Sequence, residues 1–256
     1  MDSTDDFPFR LEGAVARDVA TRELTIDVRA AEPRTDVLEP ADEVITLFAL
    51  AINEQLFTPT RPRASLELTA GQVAEGGMRR LYRFRATAVP PAAFRALLSL
   101  LAQTHHAGDR LASVAIRGAQ AWDGVDVRAL LAPGVIAPER PTVLPFPVDQ
   151  RIGEGEPGFC AITVRFCNRL PREQFVAIRE GFNIWDHLVM LGAFKPDFAE
   201  QEDFAEEYGQ TAHQTPNTIE HATPAYDGSA AALNAVVNLL NRVHADFTPI
   251  ESTEIE

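Results

Sequence analysis

The sequence predicts an α+β fold built from two ferredoxin-like (split βαβ) sandwiches, and three observations carry that expectation. Residues 22–118 show strand and helix periodicities in the order strand, helix, strand, strand, helix, strand. Residues 158–256 open with a strand and a long helix and close with a helix and a strand. Between them, the proline-rich stretch 119–157 reads as a connection with one extended piece, TVLPFPV. The expected organisation is an N-terminal α+β module over 1–118, the connection over 119–157, and a C-terminal α+β module over 158–256 with an acidic helical insertion at 192–214. Such halves are consistent with a diverged duplication packed as one body.

Each element has a local reason. RELTIDVRA (22–30) alternates apolar and polar residues, as a half-buried strand does, and the helix over 41–57 carries Asp42 and Glu43 in its first turn, where the helix dipole favours carboxylates. RASLELTA and RRLYRFRATAV flank a glycine-containing turn as two strands, and Pro90-Pro91 opens a helix with the stripe Phe94, Leu97, Leu98 and Leu101. LASVAIRG completes the first module. In the second, FCAITVRFC places Cys160, Ile162, Val164 and Phe166 on one strand face, and the helix after Pro171 aligns Phe175, Ile178, Phe182 and Trp185. A short strand near TPNTIEHAT, a helix capped by Ser229 and a final strand PIESTEIE follow. Two fragment echoes accompany the repeated order: VPPAAF with LPREQF, and Phe57-Thr58-Pro59 with Phe247-Thr248-Pro249.

Charge divides the chain more sharply than its total of −14 indicates. Residues 186–256 hold 13 acids against Lys195 and Arg242, a balance of −11, which leaves −3 for the first 185 residues. That asymmetry makes nucleic acid an unlikely partner and a basic protein surface the fitting one. The acidic start MDSTDDFPFR and the lack of any 18-residue apolar run lead to the expectation of a cytoplasmic protein with no membrane partner. Cys160 and Cys167, seven apart on one strand, point to opposite faces and cannot bridge within it.

The doubled DFAE of DFAEQEDFAEEYG resolves on a helical wheel into two sides. Phe194, Phe198, Gln201, Phe204, Ala205 and Tyr208 fall within about 120°, the width of a buried stripe, while Glu200, Asp203, Glu206 and Glu207 face away. Those four acids are the first candidate partner-binding residues. The last helix supplies the others: Asn234, Asn238 and Asn241 recur at i, i+4 and i+7 on a face without charge, and loss of charge is an interface trait. No catalytic residue, metal site or cofactor is implied by any motif. His105-His106 at a helix C-terminus reads as an imidazolium cap, and Asp186-His187, adjacent in a helix, point about 100° apart and make no dyad. The strand face of Arg79, Arg83 and Arg85 reads as solvated or ion-paired.

The function expected from these residues is a non-catalytic acidic protein-interaction module, of immunity, inhibitor or adaptor type, binding a basic partner through its C-terminal region. Two alternatives stand beside it. One is an enzyme with a small-molecule or metal site near His213 and His221. The other is a structural subunit that self-associates into a homo-oligomer by setting the arginine face of one copy against the acidic tail of another.

Overall fold

In a computed structural model the described residues are 7–32, 38–59, 61–74, 77–107, 110–118, 124–132, 137–152, 158–195, 198, 208–226 and 228–256. They form a mixed α+β molecule with two sheets and four α-helices, divided into two compact units. The first comprises Met1–Asn53, Thr60–Ala137 and Lys195–Gln201; the second comprises Glu54–Pro59, Pro138–Phe194 and Glu202–Glu256. No helix among the described residues is long and apolar enough to cross a membrane.

The first unit runs β1 (Arg10–Ala16), β2 (Arg22–Ala30), α1 (Glu39–Asn53), β3 (Ser65–Ala74), β4 (Arg79–Thr87), α2 (Pro91–His106), β5 (Leu111–Arg117) and β6 (Gly124–Asp126), then a 3-10 turn over Val127–Leu131. Its sheet order is β3-β4-β2-β5-β1-β6. Leu24, Ile26 and Val28 of β2 and Tyr82 and Phe84 of β4 are buried on the helix side, where Asp42 of α1 accepts hydrogen bonds from the Tyr82 hydroxyl and from Arg80 Nε (3.2 Å for the latter). Helix α1 ends earlier than the periodicity predicts. The Asn53 side chain turns to β3 instead, accepting from Leu66 N–H (2.9 Å) and donating to its carbonyl (3.1 Å).

The second unit runs β7 (Val148–Gln150), β8 (Gly158–Phe166), α3 (Arg172–Met190), β9 (Gln210–Thr215), β10 (Thr218–Tyr226), α4 (Ala230–Asp246) and β11 (Ile250–Ile255), in the sheet order β7-β11-β8-β10-β9. The predicted cap of α4 is formed, Ser229 Oγ accepting from Ala232 N–H at 3.0 Å. Its core gathers Cys160, Ile162, Val164 and Phe166 beneath Phe182, Trp185, Val236 and Leu240, and Trp185 Nε1 donates to the Ala232 carbonyl at 2.9 Å.

The two sheets share one pattern of pairing. β1 runs parallel to β5, β5 antiparallel to β2, β2 to β4 and β4 to β3. Likewise β7 runs parallel to β11, β11 antiparallel to β8, β8 to β10 and β10 to β9. A register shift falls at the same place in both: Ala30 faces Leu111 while Arg29 faces Ser113, and Phe166 faces Ile250 while Arg165 faces Ser252. Beside each shift, a histidine at the preceding helix end accepts the strand's first N–H at 3.0 Å, His105 Nδ1 from Leu111 and His244 Nδ1 from Ile250. His105 is therefore an acceptor and not the charged cap expected, and burial lowers its pKa, with the neighbouring His106 adding to the shift. The fragment echoes sit elsewhere: VPPAAF precedes α2 and LPREQF precedes α3, while the Phe-Thr-Pro pair follows α1 and α4. Those helices do not correspond in the shared order, so neither echo follows the common pattern of pairing.

Within the proline-rich connection, β6, the 3-10 turn and β7 are regular structure. The predicted insertion at 192–214 is also not one helix. Gln210–Thr215 is strand β9, paired with β10 about the turn at Pro216-Asn217. Phe194 follows α3 in a turn with its ring 6.3 Å from Phe57, Phe198 stands under the Arg95 guanidinium at 4.9 Å, and Tyr208 is exposed against His187. Each ring has its own partner, so these three do not form the single helical stripe.

Candidate functional site

Helices cover one face of each sheet and the strand alternation leaves the other open. On β8 the residues facing away from the helices are Phe159, Ala161, Thr163 and Arg165; Cys160, Ile162, Val164 and Phe166 face in. Register places Glu220 of β10 opposite Thr163 on one side and Glu254 of β11 opposite it on the other. Ala222 of β10 faces Ala161, and Ser252 of β11 faces Arg165. The open face thus has a centre of small side chains, two carboxylates about 10 Å apart across one intervening strand, and an aromatic ring, Phe159, that is 66% exposed. Glu254 is exposed; Glu220 is half-buried and accepts from Gln214 Nε2 at 3.1 Å. Such a face accepts hydrogen bonds and positive charge, and two separated carboxylates suit guanidinium groups in particular.

Glu200, Asp203, Glu206 and Glu207 lie outside the described residues. The asparagine stripe turns inward. Asn234 Nδ2 donates to the Pro138 carbonyl at 3.1 Å, and buried Asn238 donates to the carbonyls of Leu56 (3.1 Å) and Glu139 (2.7 Å). Its lack of charge is explained by these backbone partners, because a buried carbonyl needs a donor and a neutral amide supplies one without a desolvated charge. Asn238 is thereby withdrawn from the partner-facing surface, while Asn241 remains half-exposed. Sequence reasoning missed Glu220, Glu254 and Phe159. The signal lay in the alternation of TIEHATPAY and IESTEI, which turns Glu220 and Glu254 away from the apolar positions beside them.

A second polar cluster is buried in the same unit. Asp186 of α3 accepts the Gly209 N–H through Oδ2 at 2.7 Å, and His221 of β10 shares a hydrogen bond with Thr211 Oγ1 through Nδ1 at 2.9 Å. His221 stacks on Phe182 with ring centroids 4.7 Å apart and meets Trp185 edge-on. Asp186 Oδ1 and His221 Nε2 have no hydrogen-bond partner among the described residues. Burial lowers the His221 pKa to about 4, the Asp186 carboxylate pulling against it without prevailing. Gly209 closes the cluster: a Cβ there would stand 2.8 Å from His221 Cε1 and 2.9 Å from both the Ala222 carbonyl oxygen and Asp186 Oδ1. The histidine that feels the Asp186 charge is therefore not its neighbour His187, which meets Tyr208 edge-on at 4.5 Å, but His221, brought by β10. Burial beside Gly209 favours the neutral imidazole, which makes stability depend on pH.

His213, the other histidine of the proposed metal site, is exposed and stacks on Phe175 at 4.0 Å. Among the described residues no three His, Cys, Asp or Glu side chains gather as metal ligands. Cys160 is buried, its thiol pushed up to about 12 by desolvation, and Cys167 is exposed; both are free. On the first sheet's open face Arg79 grips buried Asp27 with two hydrogen bonds, Nε to Oδ1 at 2.8 Å and a terminal nitrogen to Oδ2 at 2.7 Å, and Arg85 meets Glu67 at 3.2 Å. Arg83 extends into solvent.

No family model and no curated protein matches the chain. Among solved structures it is similar to a conserved protein from Enterococcus faecalis V583 at 7% identity, with 92% of this chain and 77% of that one covered and a TM-score of 0.23. It is also similar to the periplasmic protease PqqL from Escherichia coli at 13% identity and a TM-score of 0.23, covering 93% of this chain but only 36% of that one. A protease from Helicobacter pylori aligns at 7% identity over 94% of this chain and 82% of that one, with a TM-score of 0.21. Scores at this level carry neither a fold nor an activity across to this chain.

Proposed function

We propose that the protein is a non-catalytic interaction module whose second unit docks a basic partner on the open face of its sheet. The observation that carries this is the Glu220–Thr163–Glu254 row, flanked by small residues and exposed Phe159. A flat face with a ring at one end and separated carboxylates offers an apolar anchor and a charge pattern, the two components that give interfaces affinity and register. The balance of −11 in residues 186–256 adds a field that speeds encounter with a cationic surface. The shared pairing order, the matching register shifts and the two histidine acceptors support the further reading that the units are ferredoxin-like sandwiches descended from a duplication. Affinity capture tests the docking face. Wild-type bait should retain a partner that Glu220→Arg/Glu254→Arg bait loses and that Asn241→Asp bait keeps; equal capture by wild type and the double variant would refute the assignment.

A further inference from the structure

The open face of the first sheet is the electrostatic counterpart of that docking face. Register sets Arg83 of β4 and Arg117 of β5 on either side of Thr25 of β2, an Arg–Thr–Arg row on the three strands that match, in sheet order, those carrying Glu–Thr–Glu in the second sheet, two residues along from the position of Thr163. Over β2, β4 and β5 this face holds five arginines, at 29, 79, 83, 85 and 117, against Glu23 and Asp27, a balance of +3 in a chain of −14. Over β8, β10, β11 and the residue after it the other holds Glu220, Glu254 and Glu256 against Arg165, a balance of −2. Arg79 and Arg29 reach Asp27, and Arg85 reaches Glu67, whereas Arg83 and Arg117 form no ion pair among the described residues. On the acidic side Glu256 is met by Arg151, which leaves Glu220 and Glu254 as the carboxylates for an incoming cation. Arg83, Arg117 and Glu254 are all exposed.

We propose that the basic partner is a second copy of this chain, the arginine face of its first sheet lying on the acidic face of the second sheet of its neighbour. This rests on reading the second sheet as the docking surface. Two sheet faces of opposite sign pack in the manner of a sandwich, about 10 Å apart. Each copy offers both faces, so two copies form two equivalent contacts in a closed pair, and further copies extend a chain if the geometry does not close.

Sedimentation velocity of the full chain at increasing concentration, in 50 mM and 500 mM salt, provides the test. The wild type should associate at low salt, with affinity at least tenfold weaker at high salt because exposed charges are screened. Arg83→Glu/Arg117→Glu alone and Glu220→Arg/Glu254→Arg alone should sediment as monomers with unchanged circular dichroism. Mixed in equal amounts, the two variants should associate again, since one then supplies glutamates on both faces and the other arginines on both. A wild type that stays monomeric at low salt, or variants that associate as well singly as mixed, would overturn self-pairing. If capture of another partner were still lost in Glu220→Arg/Glu254→Arg, the docking face would stand without it; capture unchanged in that variant would remove the docking face itself.

Discussion

The middle strands of the two sheets carry polar residues toward solvent in different ways. On β2 the open face contains Asp27, only 3% exposed, pinned by two hydrogen bonds from Arg79 and approached by Arg29 at 3.8 Å. The matching register shifts make Thr163 its counterpart on β8, with Glu220 and Glu254 beside it in place of Leu81 and Ala115. At this position one face satisfies its charge internally and the other leaves it for something outside, as Arg83 and Arg117 do further along the first face. The same strand order can therefore hold an ion-pair network or unmatched acids at corresponding places, and the difference rests in a few outward positions that contribute little to the core.

The contrast can be broken first at the ladder that closes the first sheet. Gly13 of β1 has φ of +110°, and a Cβ there would fall 1.8 Å from the Ile116 carbonyl oxygen of β5. Gly13→Ala should cost at least about 4 kcal/mol, or prevent folding of the first unit, as chemical denaturation would record. A smaller effect is expected at Asp27. Asp27→Ala removes both carboxylate acceptors of the part-buried Arg79 guanidinium and should cost about 2 kcal/mol, whereas Thr163→Ala at the corresponding position should change stability by less than about 0.5 kcal/mol. Equal costs would show that the two faces are not organised differently.

His221 sharpens the comparison through pH. The unfolded chain protonates this histidine near its ordinary 6.5, while the folded state resists protonation until about pH 4. Its contribution is therefore fully present above pH 6.5 and is lost as pH falls toward 4, by about 3 kcal/mol in all. His221→Phe should flatten the stability of the second unit over that window and leave the first unit's pH response unchanged. The smallest effect belongs to the docking face: Glu220→Arg/Glu254→Arg should shift the melting temperature by no more than about 2 °C, because exposed charges away from packed features contribute little.

Much of this architecture was legible in the chain. The alternation in RELTIDVRA, RRLYRFRATAV and FCAITVRFC, and the stripe Phe175, Ile178, Phe182, Trp185, reflect burial that repeats at the period of the element, which a sequence displays directly. Strand β9 was not legible, because QTAHQT has no apolar alternation and owes its structure to pairing with β10. Nor was the correspondence of the two sheets. At a spacing of 139, Ala92, Ala93, Ala96, Leu100, Leu101, His105, Ser113 and Ile116 match Ala231, Ala232, Ala235, Leu239, Leu240, His244, Ser252 and Ile255, but most of these are alanines and leucines of the kind any buried helix carries, and the spacing stands out only once register identifies it. The candidate site was misplaced for a similar reason: Asn238 looked like an uncharged surface because its carbonyl partners are 182 and 99 residues away in sequence.

The claim that the second sheet's open face is the binding surface is tested most directly by hydroxyl-radical footprinting of the wild-type chain with and without its bound partner. Phe159, at 66% exposure, is a reactive probe at one end of that face, and Val143, at 83%, is a control in the irregular segment that precedes β7. Binding should protect Phe159 by several-fold and leave Val143 unchanged. Equal labelling of Phe159 in the free and bound states, with protection elsewhere, would contradict the account.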